Sequence, residues 1–145
     1  MDHLGLHWLI EMYGCSNLGP ELNETGLDAM IQAAELAGAT VVGHASHCFK
    51  PEGFSAVVLV EESHLSIHTW PERKYAAIDL FTCGQSVNLT PALVFLRSFL
   101  GATSHEIHEV RRGSGEKAIQ CAGNEAKESP SNGRSGMDEC TRQPH

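Results

Sequence analysis

Residues Phe54-Ser55-Ala56-Val57-Val58-Leu59-Val60, then His64-Leu65-Ser66-Ile67-His68-Thr69, then Tyr75-Ala76-Ala77-Ile78-Asp79-Leu80-Phe81-Thr82, form three extended segments in close succession within the 145-residue chain. Each is rich in apolar, β-branched or aromatic residues, the signature of strands. Lys50-Pro51-Glu52-Gly53 is a turn signal before the first, and Pro71 marks a turn between the second and third. Strands joined by connections this short pair antiparallel, because a parallel pair needs a crossover of about a dozen residues or more. The unbroken apolar run of Phe54–Val60 predicts a buried strand.

Working outward, residues 5–13 predict a first strand ended by Gly14, and Ala39–Phe49 a second one rich in Val and His. Between them Leu27, Met30, Ile31, Ala34 and Leu36 recur near helical spacing, so a helix is expected over 25–38, capped by Asn23 or Thr25 and stopped by Gly38. Leu89–Leu100 predicts a second helix with Pro91 in its first turn and Gly101 at its end, and Ser104–Val110 a last strand. The expected fold is α+β, a two-layer sandwich of an antiparallel β-sheet with helices packed on one face. One domain is expected over 1–112. From Gly113 to residue 145 Gly, Ser, Asn, Lys and Glu dominate and large apolar residues nearly vanish, which predicts a disordered tail.

A net charge of −8 without a basic run argues against a nucleic-acid partner and suits cationic small molecules or plain solubility. Five Cys at irregular spacing, with no CxxC, do not form a disulfide framework. The N-terminal stretch lacks the basic region of a signal peptide, and no apolar run approaches the ~20 residues that span a bilayer, so no membrane partner and a cytoplasmic location are expected. His44, His47 and Cys48, like His105 and His108, lack a zinc-ligand signature, so no metal is expected. No G-x-S-x-G elbow points to a Ser-His-Asp hydrolase.

The chemistry gathers around Glu62-Ser63-His64-Leu65-Ser66-Ile67-His68-Thr69-Trp70-Pro71-Glu72. A Ser hydroxyl can attack the carbonyl of its own preceding peptide, given a strained backbone, donors for the oxyanion and a base. Elimination from the resulting ester would free Glu62 as a new C-terminus, and hydrolysis of the dehydroalanine left behind, with loss of ammonia, would leave a pyruvoyl group. Taken singly, Ser63 reads as a polar turn residue, His68 as a structural histidine and Cys83 as a buried thiol. Strand alternation puts His64, Ser66 and His68 on one face and Ser63, Leu65 and Ile67 on the other, so His68 meets Ser63 only if the chain bends between them.

Together with His47-Cys48-Phe49-Lys50-Pro51-Glu52-Gly53-Phe54-Ser55 and Asp79-Leu80-Phe81-Thr82-Cys83-Gly84, this stretch resembles the prokaryotic S-adenosylmethionine decarboxylases over residues 3–112. The resemblance implies self-cleavage between Glu62 and Ser63. Ser63 becomes the covalent pyruvoyl cofactor that forms a Schiff base with S-adenosylmethionine. His68 is then the processing base, Ser55 a helper that steadies the intermediate, and Cys83 the proton donor to the decarboxylated carbon. Phe49 and His68 sandwich the adenine, Leu65 adds a substrate contact and Glu72 holds the ribose hydroxyls. The implied assembly is a homodimer with active sites at its interface, serving spermidine synthesis. A basic amino acid such as ornithine or arginine is the alternative substrate, and an inactive, unprocessed partner subunit the alternative role. Phe54 and Ala56 depart from the family pattern and are expected to alter the pocket.

Overall fold

The computed structural model describes residues 3–83 and 85–114. The tail expected at 113–145 lies, beyond residue 114, outside the described residues. In chain order the elements are β1 (Gly5–Tyr13), α1 (Leu22–Leu36), β2 (Val41–Cys48), β3 (Phe54–Val60), β4 (Ser63–Trp70), a 3-10 turn (Pro71–Arg73), β5 (Tyr75–Thr82), α2 (Leu89–Leu100) and β6 (Ser104–Arg112). The strands form one sheet in the order β2-β3-β4-β5-β1-β6, and every neighbouring pair is antiparallel. The expected α+β two-layer sandwich is the fold observed.

Alternation along the strands explains the layers. Phe54, Ala56, Val58 and Val60 of β3, Leu65 and Ile67 of β4, Ala76, Ile78 and Leu80 of β5, and Ile10 and Met12 of β1 are buried. They meet Met30, Ala33 and Ala34 of α1 and Ala92, Leu96 and Leu100 of α2 in a single core. Among the described residues no helix covers the opposite face. The apolar run of β3 is therefore not buried throughout: Leu59 is 50% exposed. No described helix is long and apolar enough to cross a membrane.

Two local expectations are corrected. Neither Asn23 nor Thr25 caps α1, which starts at Leu22. The Gly19-Pro20 turn begins it instead: Leu22 N–H donates to the Gly19 carbonyl and Asn23 N–H to that of Pro20. Thr25 Oγ1, inside the helix, donates back to the Glu21 carbonyl at 2.9 Å. Asn88 is the helix cap that does form, its Oδ1 accepting the Thr90 N–H of α2 at 3.0 Å.

Phe54 does not shape an open pocket. Its ring points into the core against α1, where a Cβ on Gly26 would stand 2.7 Å from Phe54 Cε1. Gly26→Ala gains about 1 kcal/mol of helix propensity but forces a methyl group into a packed ring, at a cost of about 1–3 kcal/mol. The expected net loss is about 1 kcal/mol, measured by urea unfolding at fixed protein concentration. Adding Phe54→Leu should make the alanine favourable; the same alanine cost in both backgrounds would contradict the contact.

Candidate active site

The Glu62–Ser63 bond lies where a hairpin leaves its turn. Val60 pairs with Ser63, so Glu61 and Glu62 alone connect β3 to β4. Two-residue hairpin loops favour positive φ at their central positions, a conformation that suits Gly and Asn rather than Glu. Neither Glu61 nor Glu62 adopts it; the departure falls on Ser63, at φ 157. That value lies just inside the range that side-chain-bearing residues avoid, and the strain sits on the residue whose peptide bond is in question.

Three hydrogen bonds hold this turn. The Cys83 N–H donates to the Glu62 carbonyl oxygen at 2.8 Å, and the Glu61 N–H donates to the Thr40 carbonyl at 2.9 Å. The Thr40 N–H in turn donates to the Glu62 carboxylate at 3.2 Å. The turn is thus tied from the start of β2 on one side and the end of β5 on the other. Ser63 Oγ lies 3.4 Å from His64 Nδ1. Ser63 stands in register with Thr82, whose hydroxyl is buried with no partner among the described residues. Cys83, which taken singly reads as a buried thiol, is exposed.

Beside His64 lie Phe81 and His7, with ring centroids 5.9 and 6.2 Å away. Burial pushes the His7 pKa down; Asp79 opposes this, and Arg112 and His64 reinforce it. His7 Nε2 is 3.9 Å from Asp79 Oδ2 yet has no hydrogen-bond partner, so a neutral ring beside a loose carboxylate describes it better than an ion pair.

A second group occupies the other end of β4. Ser55 pairs with His68, and Ser55 Oγ is 2.7 Å from His68 Nδ1. Phe49, Glu52, Gly53, Trp70 and Glu72 join them around a cleft of about 380 Å³. A shallower hollow of about 250 Å³ continues from the same Ser55 and His68 toward Ala45 and His47. Phe49 is 49% and Trp70 40% exposed, so both rings are available to a ligand. Gly53, at φ 119, turns the chain back and its N-terminal neighbours close on it: the Phe49 N–H donates to the Gly53 carbonyl at 2.9 Å. Thr69 Oγ1 accepts the Phe54 N–H at 2.9 Å and fixes the floor of the cleft.

The expected meeting of Ser63 and His68 does not occur within one chain. β4 pairs with β3 and β5 along its length, so there is no bend between them. Five residues of strand separate them by about 16–17 Å. Leu65 is also apart from the cleft: its side chain is 1% exposed and sits in the core, on the other face from His68. Phe49, Ser55, His68 and Glu72 are brought together; so are Glu62, Ser63 and Cys83. Sequence reasoning missed His64, Thr40, Thr82 and Trp70. His64 and Trp70 lie inside the quoted stretch and were available to it, whereas Thr40 and Thr82 acquire meaning only through strand pairing.

The sheet-and-helix architecture is that of a decarboxylase. It is shared with the crystal structure of the adenosylmethionine decarboxylase from Aquifex aeolicus VF5, at a TM-score of 0.68 and 30% sequence identity, over 80% of this chain and 96% of that one. The sequence pattern of the family described as S-adenosylmethionine decarboxylase matches residues 6–113. The chain is 45% identical over 122 residues to the S-adenosylmethionine decarboxylase proenzyme of Caldanaerobacter subterraneus subsp. tengcongensis, covering 84% of this chain and 98% of that one. It is 41% identical over 115 residues to the like-named proenzyme of Methanococcus aeolicus, covering 79% and 97%. The chain belongs to the S-adenosylmethionine decarboxylase family.

Proposed function

We propose that this chain cleaves itself between Glu62 and Ser63 and then, as a homodimer, releases carbon dioxide from S-adenosylmethionine. The product would be the aminopropyl donor for spermidine synthesis. The cofactor would be a pyruvoyl group made from Ser63, and the domain would be residues 1–112 followed by a tail. A cytoplasmic location would accompany this activity, and among the described residues Cys15, Cys48 and Cys83 form no disulfide with one another.

The observation that carries this reading is the hold on the Glu62 carbonyl. An N–H aimed at 2.8 Å at its oxygen, with a hydroxyl one residue on and φ 157 between them, is the arrangement an intramolecular acyl shift needs. The residues present therefore fit the group. A pyruvoyl at this position would supply the electron sink for the charge left by departing carbon dioxide.

The rest of the chemistry falls to the protein. The exposed Cys83, whose own N–H holds the Glu62 carbonyl, brings its thiol to the same end of the sheet and would protonate the product carbon. The cleft at the far end of β4 has the size expected for a nucleoside-like ligand. The Phe49 ring can stack on adenine and attract the sulfonium, worth about 0.5–2 kcal/mol. Glu72 can accept from ribose hydroxyls, and the net charge of −8 favours a cationic substrate.

Cleft and cleavage turn are too far apart to act on one ligand in one chain. A two-fold partner on the uncovered face would bring the His68 end of one β4 over the Ser63 end of the other. The homodimer is proposed on that ground.

Intact mass of the purified protein tests the self-cleavage. The expected products are residues 1–62 and 63–145, the second lighter than a serine-headed fragment by the mass of ammonia. An uncut chain with decarboxylating activity would refute the proposal.

A further inference from the structure

We infer that Leu59 of each chain seats in the hollow beside Ser55 and His68 of a second copy, and that this seat sets the register in which the two chains pair. The inference rests on the shared site proposed above and adds the contact that aligns it.

The hollow of about 250 Å³ lies on the uncovered face, where Ala45 of β2, Val57 of β3 and Ser66 of β4 stand in one row across three strands. These side chains are short, so the face is recessed there, and Ser55 and His68 bound the recess at one end. A leucine removed from a packed interior leaves about 150 Å³, so the hollow has room for one such side chain. Leu59 stands on the same face of β3, two residues beyond Val57, and is 50% exposed. Its register partner on β2 is Gly43, which has no side chain to cover it.

The shared site fixes where this leucine goes. A two-fold that lays the His68 end of one β4 over the Ser63 end of the other crosses β4 between Leu65 and Ser66. Leu65 pairs with Val58 and Ser66 with Val57, so the axis crosses β3 between Val57 and Val58. Leu59 lies one and a half residues to one side of it. The half-turn carries it to the level of the partner's Ala56, between Ser55 and Val57, which is where the hollow lies. Packed sheets cross at about 30°. Because β3 is the immediate neighbour of β4, that rotation displaces the leucine by less than one residue.

Charge points to a second copy as the occupant. On the same face Arg112 lies at the Ser63 end of the sheet, and Glu11 and Glu106, in register with each other, lie at the His68 end. The half-turn lays the acidic end of one chain on the basic end of its partner, a complementarity that fixes register.

The test pairs two variants of the full chain: Leu59→Ala, which removes the knob, and Ala45→Leu, which fills the hollow. Both positions are exposed, so neither change touches the core. Alone, each should raise the dissociation constant of its homodimer by about 10²-fold, since each homodimer carries the defect twice. Co-expressed with different tags, the two chains should prefer each other. The alanine of one then meets the filled hollow of the other, and the remaining leucine meets an intact hollow. Native mass spectrometry should find mixed dimers as more than about nine-tenths of all dimers, against the half set by random pairing. A defect confined within each chain follows that chain into every dimer and leaves pairing random. A mixed share no greater than one half, or no mixed dimers, overturns the inference and leaves wild-type dimers and the shared site standing. A wild-type chain that sediments as a monomer removes both.

Discussion

Ser63→Ala is expected to leave the chain in one piece and to lower decarboxylation by more than about 10³-fold, the scale on which removal of a covalent group is felt. The argument is one of atoms. Without Oγ there is no ester, without the ester there is no elimination, and without elimination residue 63 keeps an amide nitrogen where the reaction needs a carbonyl. Stability should barely move. Ser63 is half-buried, and among the described residues its hydroxyl makes only the long 3.4 Å contact with His64, so a change within about 0.5 kcal/mol is expected. Loss of cleavage with unchanged unfolding would separate chemistry from folding. Gel electrophoresis under denaturing conditions reports the first and a thermal melt the second. Full activity from an uncut Ser63→Ala chain would end the proposal.

The strands were legible because each announces itself locally. The apolar run at Phe54–Val60 and the extended segments His64–Thr69 and Tyr75–Thr82, with the turn signals at Pro51-Glu52-Gly53 and Pro71 and connections too short for a crossover, fixed the antiparallel run β3-β4-β5. The position of β1 between β5 and β6 was not legible, since pairs such as Leu9 with Asp79 and with His108 join residues far apart in sequence. For the same reason Thr40 carried no signal, although it grips both Glu61 and Glu62. The start of α1 was misplaced because Gly19-Pro20 does by backbone geometry what a capping side chain does elsewhere. The site residues were legible as types within a motif. Periodicity put Ser63 and His68 on opposite faces of β4, and a bend was expected to bring them together where an unbroken central strand instead holds them at its two ends. Phe54 illustrates the opposite case. It looked like a change to the pocket, and only the contact with Gly26 across the core shows where its volume goes.

That division leads to the second large effect, which is regained activity. Glu72→Ala should cripple substrate binding, because a carboxylate facing ribose hydroxyls forms charge-assisted bonds worth about 1.5–3 kcal/mol each. It should not prevent cleavage, since Glu72 lies with Phe49 and Trp70 at the end of β4 away from Ser63. Ser63→Ala has the converse defect: its cleft is whole and its residue 63 is inert. If a working site takes Ser63 and Cys83 from one chain and Phe49, His68 and Glu72 from the other, co-expressing the two variants should restore activity that neither has alone. Random pairing makes half of the dimers mixed, and each mixed dimer has one intact site of two, so about a quarter of wild-type activity is the ceiling under two-fold symmetry. The physical reason to expect pairing on this face is that, among the described residues, the six strands carry helices on only one side, leaving Leu59, Phe49 and Trp70 exposed on the other. A site built within one chain predicts the reverse, because a mixed dimer would then hold one chain with a dead residue 63 and one with a damaged cleft. Sedimentation of the mixed sample, with the two chains carrying different tags, confirms that mixed dimers form. Mixed dimers without restored turnover would refute the shared site.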